Sequence, residues 1–206
     1  MTYYIIIAYI STVAASHINE HVKKDILRGE LSARLLKPFN YVLFRTLQET
    51  SYRTIYIVIS STILLLLFLF GSHYLIFPSS PLTVAFFVLS LISAFMIFHC
   101  FELIIGLSSF WWGENSALRQ AYFTTSIVLS GEIAPLVFFP PIFQRANHYL
   151  PFQYLFSFPT QIYLNKLTGL ELVDGFLGVS VWILILATVV YILWKRGVHD
   201  YDGGSL

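Results

Sequence analysis

Charge is scarce in this sequence of 206 residues: only 11% of them are Asp, Glu, Lys or Arg, whereas 57% are hydrophobic. A soluble domain carries about 25% charged residues, so the chain lacks the charge that a water-facing surface of this size requires. The formal net charge is +1, which indicates no nucleic-acid partner. The only cysteine is Cys100, so an intramolecular disulfide is excluded. These shortages favour a protein of the lipid bilayer.

Two motifs that carry chemistry are missing or incomplete. The sequence contains no G-x-x-x-x-G-K-[ST] loop to cradle ATP phosphates, so we expect the chain to bind no cofactor of its own. Residues 17–21 read HINEH and match the H-x-x-E-H pattern of zinc proteases. A catalytic zinc also needs a third protein ligand, a general base and a dry cavity, whereas the nearby acids Asp25 and Glu30 lie in a wet, basic loop. We therefore predict no metal site and no catalytic residues.

Long apolar runs, by contrast, are abundant. A helix needs about 20 mostly apolar residues to cross a bilayer. Four segments satisfy this requirement: 54–77, 82–108, 121–139 and 173–194. The apolar stretch 1–16 is too short to span alone and is interpreted as a partial span, while the proline-interrupted, aromatic region 140–172 is typical of short re-entrant helices. The predicted fold class is an all-α, polytopic helical membrane protein with one transmembrane domain, residues 1–206.

Basic residues are divided unevenly between the two sides of these spans. Ten of the twelve Lys and Arg residues lie between the partial span and the first full span, after the second full span, or after the last one. The other side holds only Arg145 and Lys166. Because cytoplasmic loops are enriched in Lys and Arg, we predict that segment 17–52 and the C-terminus are cytoplasmic and that 140–172 is extracytoplasmic.

The predicted cytoplasmic segment 17–52 has the pattern of short amphipathic helices. Ile18, Val22 and Ile26 recur every four residues and form one apolar stripe. We expect Gly29 to interrupt the first helix and Pro38 to end or kink the next one. Two interpretations remain open: a solvated connection that skims the lipid surface, or a docking surface for a cytoplasmic partner.

Two carboxylates fall within the apolar runs. Glu102 lies ~30 Å along its helix, so that it and His99 are expected at the inner headgroup level. Glu132 lies ~17 Å into the third predicted span, near mid-membrane, where a carboxylate must be paired, protonated or hydrated. Gly131 and Pro135 interrupt the same helix, because proline removes a backbone donor. We interpret Gly131, Glu132 and Pro135 as a translocation path or re-entrant hinge; a structural hydrogen bond from Glu132 is the alternative.

Several motifs occur together in a specific order. The pattern SG…P is followed by FFP, then by LPF, then by a proline before the final span. RGELSARLLKPFNY spans residues 28–41, and the aromatic triplet FWW spans residues 110–112. In this order and spacing the chain resembles, over nearly its whole length, a permease subunit of the type-2 ABC exporter class, within a poorly characterised bacterial branch of the ABC-2 family.

That resemblance implies six transmembrane helices per subunit, with a re-entrant hairpin before the last. It implies two permease subunits around a central path in the bacterial inner membrane, and two cytoplasmic ATPases that bind the ATP, so that the chain itself is no enzyme. It also implies which residues dock the ATPase: Gly29, Glu30, Leu35, Leu36, Lys37 and Pro38. Compared with that pattern, this chain lacks the first one to two helices.

Two other function classes are weighed against the permease. An intramembrane enzyme, either lipid-modifying or a protease, needs polar groups clustered at one depth, whereas His99, Glu102, Glu132 and His148 are distributed over both predicted leaflets. An ion-coupled secondary transporter often has internal repeats and paired broken helices, whereas this sequence has one broken segment and no repeat. Nothing in the sequence selects a substrate.

Overall fold

A computed structural model describes residues 1–71, 78 and 80–201 of the protein, and all regular structure within them is helical. In chain order the α-helices of this part are α1 Thr2–Ala14, α2 Ile18–Leu27, α3 Glu30–Leu35, α4 Tyr41–Gly71, α5 Pro81–Leu107, α6 Ser109–Trp112, α7 Ser116–Leu129, α8 Pro141–His148, α9 Ser157–Tyr163 and α10 Gly169–Asp200. Two short 3₁₀ turns, Leu136–Phe138 and Pro151–Tyr154, lie in the region before α9.

Three helical stretches within these residues are long and apolar enough to cross a membrane: Tyr41–Leu67, Pro81–Trp112 and Gly169–Asp200. Capping residues mark the beginnings of two of these helices. Ser80 caps α5, its Oγ accepting a hydrogen bond from the Thr83 amide at 3.2 Å, and α10 begins with a capping box formed by Thr168 and Glu171. The predicted class, a helical membrane protein, is thereby confirmed.

The limits of the predicted spans require correction. Helix α4 begins at Tyr41, so the predicted loop 17–52 is shorter and its last part is helix, while the predicted end of the first span, 72–77, lies outside the described residues. Segment 121–139, predicted as one span, is divided: α7 ends at Leu129 after 14 residues, or ~21 Å, which is less than the bilayer core. The break follows because Gly131 adopts a left-handed φ of 83°.

Other local predictions are confirmed. Helix α1 has 13 residues, so it is a short helix as expected. Gly29 has a φ of 71° and separates α2 from α3, and α3 ends at Leu35, before Pro38. The region 140–172 contains short helices, α8 and α9, joined by a 3₁₀ turn.

Helix α5 forms the centre of the packing, because it contacts α1, α2, α9 and α10. Helix α2 approaches it closely at Gly106, where a Cβ atom would lie 3.0 Å from both the Cα of Asn19 and the Cβ of Val22. The apolar stripe of α2 is fully buried there, with Ile18 and Val22 at 0% exposure. The stripe therefore packs against protein, and the interpretation of α2 as a lipid-skimming connection is corrected.

Aromatic rings from other elements pack directly against the backbone of α10 at three of its glycines. A Cβ atom at Gly175 would overlap the ring of Phe158, whereas a Cβ atom at Gly169 would meet no atom within 4 Å. Gly178 and Gly197 receive the rings of Tyr154 and Phe110 in the same way. The missing side chains thus allow α10 to pack against the short helices.

We predict that Gly175→Ala destabilises the protein by about 1–3 kcal/mol, because the added methyl group overlaps a ring that cannot move away freely. Phe158 is buried and packs edge-on against Phe176, with ring centroids 5.2 Å apart. Thermal unfolding of the purified protein in one detergent measures the effect. The matched control is Gly169→Ala, which gains helix propensity without a clash; equal unfolding temperatures for the two variants would contradict the prediction.

Candidate functional site

A cavity of about 670 Å³ lies between α1, α4, α5 and α7. Its charged lining residues are Glu20, Arg53, Glu102, Arg119 and Glu132, and its aromatic lining residues are Tyr56, Phe98, Tyr122, Phe123 and Phe156. We call it the polar cavity. Its volume lies within the range of small-molecule binding sites, and its mixture of apolar walls with a few charged groups is typical of them.

Glu102 forms part of the cavity wall on α5. Glu102 is only 3% exposed. One carboxylate oxygen, Oε1, lies 3.9 Å from Nε of Arg119, and the other, Oε2, is buried with no hydrogen-bond partner in the part of the chain that the structure describes. A buried acceptor without a partner is costly, so this oxygen marks a point where the cavity lacks a donor.

Arg119 joins three elements around the cavity. It lies on α7, 3.9 Å from Glu102 on α5, and its Nη1 lies 3.5 Å from Oε1 of Glu20 on α2. The hydroxyl of Tyr122, one helical turn further along α7, is buried and has no hydrogen-bond partner among residues 1–71, 78 and 80–201. These three helices therefore meet at a group of charges that is only partly neutralised within the protein.

The other cavity arginine, Arg53, is engaged through both terminal nitrogens, whereas its Nε is buried without a hydrogen-bond partner among the described residues. Its Nη2 donates to Oε1 of Glu49 at 3.3 Å and to Nδ1 of His17 at 3.0 Å, and its Nη1 donates to the carbonyl of Thr12 at 3.2 Å. Burial lowers the pKa of His17 below its usual value, and the adjacent Arg53 guanidinium lowers it further. The first histidine of HINEH thus accepts a hydrogen bond as a neutral ring.

His99, by contrast, has a structural position. It is 5% exposed, and its two ring nitrogens lie 3.1 Å from Oγ of Ser16 and 3.0 Å from Oγ1 of Thr46. It therefore links α5 to α4 and to the segment after α1, and it does not line the polar cavity.

The break after α7 is held by side chains of other helices. The hydroxyl of Tyr3 donates to the carbonyl of Gly131, and that of Tyr4 donates to the carbonyl of Ile133 at 3.3 Å. Further bonds to the end of α7 run from Asn147 Nδ2 to the Leu129 carbonyl, at 2.8 Å, and from the Ser157 amide to the Ser130 carbonyl, at 3.0 Å. The irregular backbone is thus supported by protein, as expected for a non-helical segment within a membrane domain.

Glu132 projects from this break into the polar cavity. Its side chain is half-buried, and it makes no hydrogen bond or ion pair with any residue in the described ranges. His148 lies in a separate cavity, 3.8 Å from Asp174. The structure therefore brings Glu132 and Glu102 to one cavity, and within the described ranges it joins neither His99 nor His148 to Glu132.

The predicted docking residues lie on an exposed turn around α3. Leu36 is 88% exposed and Leu35 is 39% exposed, which is unusual for leucines in a basic, polar segment. Glu30, Lys37 and Pro38 are exposed beside them. We call residues 29–39 the docking turn.

Sequence reasoning missed the group that anchors this turn. Asp25, interpreted as an acid in a wet loop, is 1% exposed; it accepts hydrogen bonds from the hydroxyl of Tyr41 at 2.6 Å and from Arg45, and lies 3.2 Å from Nε of Arg34. These contacts join α2, α3 and α4. The signal was available: Asp25 stands seven residues after Ile18 and three after Val22, which places it on the buried stripe of α2.

Comparison with known protein families gives a match over nearly the whole chain. A family model described as "ABC-2 family transporter protein" matches residues 1–205. No curated protein and no solved structure matches the sequence.

We predict that Asp25→Ala destabilises the protein by about 3–5 kcal/mol, because it leaves the buried Arg45 without its counter-charge. The control is Glu30→Ala, which removes an exposed ion pair with Arg34 and should cost less than about 1 kcal/mol. Thermal unfolding in detergent, with limited proteolysis of the docking turn, measures both variants. Equal stability of the two would contradict an anchoring role for Asp25.

Proposed function

The chain belongs to the ABC-2 family of transporter proteins, and on this premise we propose that it is the membrane-spanning permease subunit of an ATP-driven exporter. In this proposal a separate cytoplasmic ATPase binds the ATP and docks on the chain. The observation that carries the proposal is the docking turn. Its leucines are exposed, and the buried carboxylate of Asp25 holds the turn against α2. The same helix contributes Glu20 to the lining of the polar cavity.

The absence of a phosphate-binding loop from the sequence supports a separate motor. A partner that covers the exposed side chain of Leu36 would be bound more tightly, because each apolar side chain removed from water contributes roughly 1.5–3 kcal/mol of favourable free energy. Lys37 directly follows Leu36 in the chain and is exposed, so it would contribute charge at the rim of the contact. The docking turn therefore has the apolar centre and polar rim of a protein interface.

The path from the docking turn to the polar cavity is short. Asp25 ties the turn to α2, and Glu20, on the same helix, lines the cavity and faces Arg119. Helix α2 is itself packed on α5 at Gly106. A rigid-body shift of α2 under a moving ATPase would therefore displace the cavity wall, since packed elements move as units.

The translocation path is assigned to the polar cavity and to the break formed by Gly131, Glu132 and Pro135. The break is non-helical backbone beside a cavity that is lined by three acids, an arrangement suited to a path through the membrane. The apolar face of α4 is largely exposed, and we assign it to contact with lipid or with a second permease subunit, in a homodimer or heterodimer.

The proposed orientation follows the positive charges. The docking turn and the C-terminus lie in the cytoplasm, region 140–172 lies outside, and the membrane is the bacterial inner membrane.

We predict that Leu36→Asp weakens copurification with the cognate ATPase by about tenfold or more, because it places a charge at the centre of an apolar contact. The matched control is Leu170→Asp: this leucine is 85% exposed but starts α10, at the predicted outer end. The measurement is the amount of ATPase retained on the immobilised permease. Retention by Leu36→Asp at the level of the control would exclude the docking assignment.

We also predict that a cysteine at Ser32 is shielded from an impermeant thiol reagent in intact cells and labelled after permeabilisation. The background is Cys100→Ser, which removes the native thiol. Ser32 and Lys166 are both exposed, so Lys166→Cys serves as the matched outer position and should be labelled in intact cells. The reverse labelling pattern would invert the proposed topology.

A further inference from the structure

The acids of the polar cavity exceed the bases that could neutralise them. Glu132 has no polar partner within the described residues, and Oε2 of Glu102 is buried without one. Arg53 is matched by Glu49 at 3.3 Å, outside the cavity lining. Arg119 faces Glu20 and Glu102 together, and Lys23, at 3.4 Å, is a second base beside Glu20.

Counting these groups together with Lys23, which lies 3.4 Å from Oε2 of Glu20, gives four carboxylates and three basic groups, an excess of one negative charge when all are ionised. A carboxylate held away from water with no counter-charge is unfavourable, and it is stabilised by a cation that enters the cavity. The occupant favoured by this wall therefore carries positive charge. An anionic ligand would meet Glu132 and Glu102 with no free base to offset them.

Aromatic rings form the remainder of the wall. Tyr56 is already covered by the Arg53 guanidinium, which lies 5.4 Å from its ring centroid. Phe98, Tyr122, Phe123 and Phe156 line the cavity as well. Aromatic faces attract cations and also bind apolar groups, so a bulky organic cation fits this wall better than a small hydrated metal ion.

Resting on the permease function proposed above, we propose that the polar cavity is the substrate site and that its substrates are amphipathic organic cations, with the positive centre held by Glu132 and Glu102 and the apolar body held by the aromatic wall. Glu102 supplies the buried, unpaired oxygen, and Glu132 supplies the carboxylate nearest the break after α7.

The test is equilibrium binding to the purified full chain in lipid nanodiscs, without ATP or an ATPase. The probe is radiolabelled tetraphenylphosphonium, and triphenylphosphine oxide is its neutral analogue; binding to empty nanodiscs is subtracted. We expect saturable binding of the cation and at least about tenfold weaker binding of the neutral analogue. Glu132→Gln and Glu102→Gln should each weaken cation binding by about tenfold and leave binding of the neutral analogue unchanged.

The matched control is Asp174→Asn, which removes an acid from the separate cavity beside His148 and should leave the affinity within about twofold of wild type. Because Glu102 is buried, its variant is judged only if its unfolding temperature matches that of wild type. If the Glu102 variant is destabilised, Glu132→Gln decides the test, because Glu132 is half-buried and has no polar partner among the described residues. Equal affinity for the two probes, no saturable binding, or unchanged cation affinity in Glu132→Gln overturns the inference.

The result of this binding test can be distinguished from the result of the ATPase copurification test of the proposed function. If the cation binds as expected but Leu36→Asp retains the ATPase, the docking assignment fails and the cation site stands. If Leu36→Asp releases the ATPase but the cation does not bind, the cation site fails and the permease proposal stands.

Discussion

The buried carboxylate of Asp25 is the interaction on which the packing of α2, α3 and α4 depends. It is 1% exposed and is satisfied by Tyr41, Arg45 and Arg34, which belong to α4 and α3. A buried charge is tolerable only when its partners are in place, so this group defines how three helices meet. The exposed leucines of the docking turn can be presented to water because the turn behind them is held in this way.

Helix α5 connects α2 to the polar cavity. It is covered by α2 at Gly106, where the absence of a side chain permits close approach, and it presents Glu102 to the cavity less than two turns earlier. Arg119 connects the same carboxylate to Glu20 of α2. The docking turn and the cavity are thus parts of one packed unit, which is the physical basis for proposing that force applied at the first alters the second.

The break after α7 is stable because its carbonyl groups are satisfied by other elements. The hydroxyls of Tyr3 and Tyr4 reach Gly131 and Ile133 from α1, more than a hundred residues away in the chain. Within an apolar medium those carbonyls would otherwise lack partners at a cost of several kcal/mol each. Since the tyrosines satisfy the backbone, the side chain of Glu132 remains available to whatever enters the cavity.

The sequence alone determined the membrane class, the existence of the long helices, the interruption at Gly29 and the irregularity at Gly131 to Pro135, because composition, run length and the backbone preferences of glycine and proline are local properties. It also predicted that the docking residues belong together, since they are adjacent in the chain. Only the tertiary structure decided that Asp25 is buried, that Glu102 and Glu132 share one cavity while His99 does not, and that Tyr3 and Tyr4 support the break after α7. Those outcomes depend on which distant side chains supply counter-charges and donors, and such partners are chosen by packing and not by spacing along the chain.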